Sequence, residues 1–252
     1  MIKRLFNRND NIAILIAGIF SIIIGLGVAR FAFTGLIPAM LDDYLTIKFV
    51  GILASLNFAG YLSGSIFSIF VKDINFKVYL YRFGIFLAIS TTFILAYSDN
   101  NTLWMIGRVL AGFAGAMCLI VGTSIVMQKL TIKSKTKAMG IHFSGIGFSI
   151  LTTDLLARFV LSLNYSWRDS WAVLAVFAII LSLYSVYILS FDKEVKQNAV
   201  KVKFDISIFT PFVIVLIIAY FTEGVGFVVQ ATFLPDIINN LKGLEGYGSL
   251  TW

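Results

Sequence analysis

Long apolar runs, broken by short polar and charged connections, organise this chain. Seven are legible, at residues 11–37, 49–71, 78–97, 103–127, 138–163, 167–189 and 206–234. A helix rises about 1.5 Å per residue, so roughly 20 residues cross the hydrocarbon core of a bilayer. Every run reaches that length. The runs lack the period-two alternation of transmembrane strands and are too long for them. The pattern therefore predicts an all-α integral membrane protein with seven crossings.

Composition agrees with this reading. The chain has 252 residues, 59% of them hydrophobic, and phenylalanine alone supplies 24. Soluble domains average roughly 45–50% apolar residues. The opening, MIKRLFNRND, is basic like a signal peptide. The run behind it is too long for a typical signal core, and six more follow, so the first helix is expected to be retained. Cys118 is the single cysteine, which excludes an internal disulfide; a packing role is expected for it. No Cys/His cluster suggests a metal, no Walker A motif suggests ATP hydrolysis, and Gly140, Gly145 and Gly147 do not form a nucleotide fingerprint. His142 and Asp154 are twelve positions apart, which supports paired catalysis poorly. The chain reads as a non-enzyme without a cofactor.

The net charge of +7 matters through its distribution. One side of the predicted bundle collects Lys3, Arg4, Arg8, Lys72, Lys77, Lys129, Lys133, Lys135, Lys137, Lys193, Lys196, Lys201 and Lys203. The other side offers Lys48, Arg168 and Lys242. The positive-inside rule then places the N-terminus in the cytoplasm and the C-terminal tail outside. The densest basic stretch, KLTIKSKTK, reads as a topogenic loop near anionic lipid headgroups, since no nucleic-acid recognition fold surrounds it.

The longest connection, FDKEVKQNAVKVKFD at 191–205, divides six spans (1–190) from the seventh and the tail (206–252). Span one ends in GVARFAFTGLIP and span seven in GVGFVVQATFLP, each placing glycine eleven positions before proline. Helix interruptions at matching positions point to transporter repeats. Pro38 is expected to mark the end of span one.

Charges inside the apolar runs carry the candidate chemistry, because lipid excludes them. Arg30, Arg108, Asp154, Arg158 and Glu223 all fall toward the outer half of their spans and can share one layer of the bundle. Asp154 and Arg158 are four apart, so they can pair on one helix face, as a structural bridge or as part of a gate or binding site. Arg30 suits two parallel hydrogen bonds to an anionic carboxylate or phosphate, a locking pair with Asp154 or Glu223, or snorkelling to the interface. Glu223 is a candidate proton-coupling group, since burial raises a carboxylate's pKa and a nearby arginine opposes that; a structural ion pair is the competing reading. Asn57 shares a helix face with Gly60 and Gly64, a small-residue contact surface, and either lines a cavity or bonds across that contact. His142 is expected to pack at the interface or to bond a helix end, with a proton relay as the competing reading.

These segments resemble the major facilitator superfamily, and more narrowly its bacterial YbfB/YjiJ branch. GLGVARFAFTGLIPAM in span one and GILASLNFAGYLSGSIF in span two are similar to that branch. RVLAGFAGA, from Arg108 to Ala116, resembles the superfamily's span-four motif. HFSGIGFSI and WRDSW resemble the branch's fifth span and the following loop. The resemblance implies two six-helix halves, of which this chain holds the first plus the seventh helix. It further implies a central cavity lined by spans one, four, seven and ten, and alternating access. Arg30, Arg108 and Glu223 then become cavity or gate candidates. In the loop after span two, Asp73 and its basic neighbours match the superfamily's pattern, but the following glycine does not. The chain stops where an eighth span is expected.

The implied function is secondary transport of a small molecule, an organic anion among the classes suited, with protons as coupling ion. The implied site is a bacterial cytoplasmic membrane. The alternative is a truncated or partner-dependent membrane protein that does not transport.

Overall fold

The computed structural model describes residues 4, 6–41, 43–131, 135–190 and 209–243. The chain divides into two compact units, Met1–Gln197 and Asn198–Trp252, each taken by itself. All regular structure among the described residues is helical. Six helices of the first unit have membrane-spanning length and composition: α1 (Asn11–Leu41), α2 (Ile47–Phe70), α3 (Ile74–Tyr97), α4 (Asn101–Lys129), α5 (Lys135–Ser162) and α6 (Trp167–Ile188). The second unit contains α7 (Pro211–Asn239), with an apolar stretch over Pro211–Phe227. The expected linker at 191–205 lies outside the described residues.

Several helices begin ahead of their apolar runs, because polar caps fix the first turn. Thr46 Oγ1 accepts from the Phe49 N–H at 3.3 Å and starts α2. Asp73 Oδ2 accepts from the Phe76 N–H at 2.7 Å and starts α3. Asn100 Oδ1 accepts from the Thr102 and Leu103 N–H groups at 2.9 and 3.2 Å and starts α4. Ser166 and Asp169 form a reciprocal capping box at α6. Each cap satisfies backbone donors that the first turn leaves without carbonyl partners. Pro38 does not end α1 as expected. The helix continues to Leu41, at the cost of the bond that residue 38 would make back to Thr34.

In the first unit, α2 packs on α4, α1 on α5, and α3 on both α4 and α6. The α2/α4 contact is a backbone-to-backbone approach. A Cβ on Gly60 would lie 2.0 Å from Val109 O, and one on Gly112 would lie 1.9 Å from Asn57 O. Only glycine permits that distance, the small-residue packing through which membrane helices associate. The core also carries a polar relay. Ser185 Oγ on α6 donates to Ala17 O on α1 at 2.7 Å, so the Tyr81 hydroxyl on α3 is the donor in its 2.5 Å contact with Ser185 Oγ.

Helices α1 and α4 each contain a π-helical stretch, Ile23–Phe31 and Met117–Val121. The Ala32 N–H reaches Gly27 O, and the Gly122 N–H reaches Met117 O, each five residues back. Such widened turns move backbone carbonyls out of the regular ladder and occur often at functional sites. The Gly122 N–H bypasses Cys118 O, which accepts instead from Ser21 Oγ of α1 at 2.9 Å. The two stretches touch through Gly25, where an added Cβ would lie 2.3 Å from Cys118 Cβ.

Candidate functional site

The π stretch of α1 brings two arginines into one region. Arg108 of α4 is 2% exposed, and its Nη1 donates to Ala29 O at 3.0 Å. Ala29 belongs to the π stretch, so an α1 carbonyl is available to a side chain from another helix. The guanidinium also meets the face of Phe33, 4.2 Å from the ring centroid. Arg108 Nε is buried without a hydrogen-bond partner among the described residues. Asn57 Nδ2 of α2 donates to the backbone Arg108 O at 3.1 Å, so Asn57 bonds across the α2/α4 contact at the residue that carries the cation.

Arg30 lies within the same π stretch and is half-buried. Its guanidinium sits 4.4 Å from the Phe58 centroid, 5.4 Å from Tyr61 and 5.5 Å from Phe31. An aromatic face attracts a cation through its quadrupole, weakly in water and more strongly where water is excluded. Among the described residues no carboxylate pairs with Arg30. Arg108 lies close by, since its guanidinium binds the carbonyl of Ala29, the residue before Arg30. The region therefore holds two positive charges met by ring faces and one carbonyl.

Asp154 does not serve as the counter-ion of Arg30. Its Oδ2 binds Arg158 Nε at 3.0 Å, one turn along α5, and Oδ1 faces Gly35 of α1 at 3.4 Å from a Cβ built there. The nearer partner on the same helix wins because the i,i+4 spacing needs no rearrangement. Glu223 lies on α7, in the second unit, followed by Gly224 and Gly226.

His142 is 1% exposed and bonds across helices, where a helix-end bond was one expectation. Its Nε2 lies 2.8 Å from Thr123 Oγ1 of α4, and the ring lies flush against Gly18 of α1. Asp73 is a helix cap, as described above. In WRDSW, Trp167 Nε1 donates to Asp43 Oδ2 at 2.9 Å. Arg168 pairs with Asp99 and lies over the Trp167 ring at 4.3 Å. Tyr44 completes this cluster, its hydroxyl donating to Asp99 O at 2.8 Å. The loops after α1 and α3 are thereby tied to the start of α6. Burial and the Asp99 carboxylate raise the Tyr44 phenol above its ordinary range, so it stays a donor at all physiological pH values.

Sequence reasoning missed Phe58 and Tyr61, the π stretches and the Thr123–His142 bond. No local signal in α1 names aromatic partners on another helix.

A family model described as "Uncharacterised MFS-type transporter YbfB" matches residues 22–252. The protein TsgA homolog of Buchnera aphidicola subsp. Baizongia pistaciae (strain Bp) is 24% identical over 161 residues, covering 63% of this chain and 41% of that relative. The chain thus spans about two-fifths of the length of the curated relative it matches. No solved structure matches. With six membrane-length helices in one bundle and a family match over nearly its whole length, this multi-pass membrane chain belongs to the YbfB branch of the major facilitator superfamily of transporters.

Proposed function

We propose that the protein carries a small organic anion across the bacterial cytoplasmic membrane by alternating access, coupled to protons, with its N-terminus in the cytoplasm. The observation that carries this reading is Arg30. It is a half-buried cation in a membrane helix, set among aromatic rings, with no carboxylate partner among the described residues and a second arginine close by. A carboxylate or phosphate ester entering there gains charge-assisted hydrogen bonds and relieves the repulsion between Arg30 and Arg108. The rings of Phe58 and Tyr61 suit an anion with an apolar or aromatic body.

The residues divide the work. Arg30 binds the anion. Arg108, held by Ala29 O and braced by Asn57, couples α1 to α4 and supplies long-range positive charge. The Asp154–Arg158 pair, facing Gly35, stands where α5 packs on α1 and serves as a gate element. Glu223, within the apolar stretch of α7, loads and releases the proton.

The test begins with a metabolite screen comparing deletion and complemented cells, the protein being expressed from its natural gene. Flux of the compound found is then measured for Arg30→Lys and Arg30→Gln at equal membrane abundance. A charge-assisted hydrogen bond is worth about 1.5–3 kcal/mol, so Arg30→Gln should raise the apparent KM roughly 10- to 100-fold. Arg30→Lys should recover part of that loss. Unchanged flux in Arg30→Gln rejects the site.

A further inference from the structure

A concave surface lies where the segment before α1 meets the last turns of α6, away from the arginine cluster. It is a groove of about 440 Å³ lined by Phe6, Ile180, Leu183, Tyr184 and Tyr187. The last four stand at i, i+3, i+4 and i+7 on α6, a single helix stripe about 10 Å long. Phe6 comes from the segment before α1 and meets Tyr184 edge-to-face, with centroids 6.0 Å apart. Ile180 and Leu183 are 61% and 70% exposed. A membrane-spanning helix that leaves such residues uncovered within its own bundle presents them to acyl chains.

The mouth of the groove is basic. The Arg8 guanidinium lies 5.4 Å from the Tyr187 centroid, and its Nη2 donates to Ser190 Oγ at 2.5 Å. Lys129 Nζ donates to Ser190 O at 2.5 Å, beside the C-terminal end of α6. Arg4 lies two residues before Phe6, its side chain 69% exposed and paired with Asp10. An apolar groove with cations beside one end matches a molecule with a hydrocarbon tail and an anionic head. Basic pockets beside membrane helices recognise phospholipid headgroups by this charge complementarity.

We propose that this groove is a binding site for one anionic glycerophospholipid. One acyl chain lies along Ile180 and Leu183 beneath Phe6, and the phosphate lies at Arg8, with Lys129 adding charge. The site does not depend on the transport reading, since it uses neither Arg30 nor Glu223. A bound lipid there would tie the pre-α1 segment to the end of α6.

The experiment uses the full chain in detergent, incubated with equimolar phosphatidylglycerol and phosphatidylcholine of identical acyl chains. Retained lipid is counted by native mass spectrometry. Wild type should retain one phosphatidylglycerol in preference to phosphatidylcholine by roughly fivefold or more, the effect of one basic residue near an anionic headgroup. Arg8→Gln should abolish that preference. Leu183→Trp, a substitution at an exposed position that fills the slot, should lower retention of both lipids to background. The fold of each variant is checked by the labelling rate of buried Cys118. Equal retention of the two lipids by wild type, or full phosphatidylglycerol retention by a folded Leu183→Trp protein, overturns the proposal.

Discussion

Replacing Gly112 by alanine puts a methyl carbon 1.9 Å from Asn57 O and 2.7 Å from Tyr61 N. Contacts below 3.0 Å are essentially never made by a Cβ, so α2 and α4 must part by at least the difference, 3.0 − 1.9 = 1.1 Å. Both obstructing atoms are backbone in the middle of a helix and cannot rotate aside. The separation also stretches the 3.1 Å bond from Asn57 to Arg108 O. Overpacking costs about 1–3 kcal/mol, and a lost buried hydrogen bond about 1 more. Alanine's better helix propensity returns about 1 kcal/mol. The net is a destabilisation of about 2 kcal/mol, or roughly 4–8 °C in Tm for a chain of this size. The assay is thermal unfolding in detergent, read by a maleimide fluorophore on Cys118, the chain's single and buried cysteine. Gly140→Ala and Gly147→Ala are the controls, since a Cβ at either meets nothing within 4 Å; they should leave Tm unchanged or raise it slightly. A Gly112→Ala protein that melts at or above wild type would refute the close-contact argument.

The other expectations are tested separately. Glu223→Gln should abolish accumulation driven by a pH gradient in proteoliposomes while sparing substrate exchange; normal gradient-driven accumulation removes Glu223 from the coupling role. Cysteines replacing Lys135 and Lys48 should label from the inside and the outside of intact cells respectively, and external labelling at Lys135 reverses the proposed orientation. Asp10, which caps α1, is held below the usual carboxylate range by its bond from Arg4 and the Ile12 N–H. A depressed carboxylate contributes stability above its unfolded pKa of about 3.9 and loses it as pH falls through the lower folded value. The Tm difference between wild type and Asp10→Ala should therefore be constant near neutrality and shrink below about pH 4; a difference that persists at lower pH shows that the charge is not what matters.

What the sequence made legible is what depends on local rules. Bilayer thickness imposes a length on each apolar run, so six membrane-length helices of the first unit were readable without knowing their neighbours. Asp154 and Arg158 are one turn apart on one helix, and their pairing follows from that spacing alone. Gly60 and Gly64 mark a contact face, and Gly60 meets Val109 O there. Helix starts were placed late because hydrophobicity locates the buried run, whereas Thr46, Asp73 and Asn100 locate the first turn. The π stretches had no local signature. They exist where Gly25 and Cys118 bring α1 and α4 into contact, and which helix lies opposite is a property of the packed bundle. The approach of Phe58 and Tyr61 to Arg30 was hidden for the same reason, since both stand about thirty positions away on another helix.

The two arginines can be separated by how their charges are met. Placing an arginine at the middle of a membrane helix costs about 2.5–3.5 kcal/mol on insertion scales, while a cation over an aromatic face recovers about 0.5–2. Arg108 adds a charge-assisted bond to Ala29 O, worth about 1.5–3 kcal/mol, which offsets part of that cost even though its Nε has no partner among the described residues. Among the described residues Arg30 is met by ring faces alone. A permanent carboxylate beside Arg30 would remove that deficit but would also occupy the guanidinium in every state of a transport cycle. An arginine left under-compensated, on a widened helical turn and only half-buried, is instead stabilised by whatever anion arrives and loses that stabilisation when the anion leaves. Differential stabilisation of this kind is what lets a ligand shift a conformational equilibrium. On the proposed transport reading, Arg108 belongs to the frame and Arg30 to the working site.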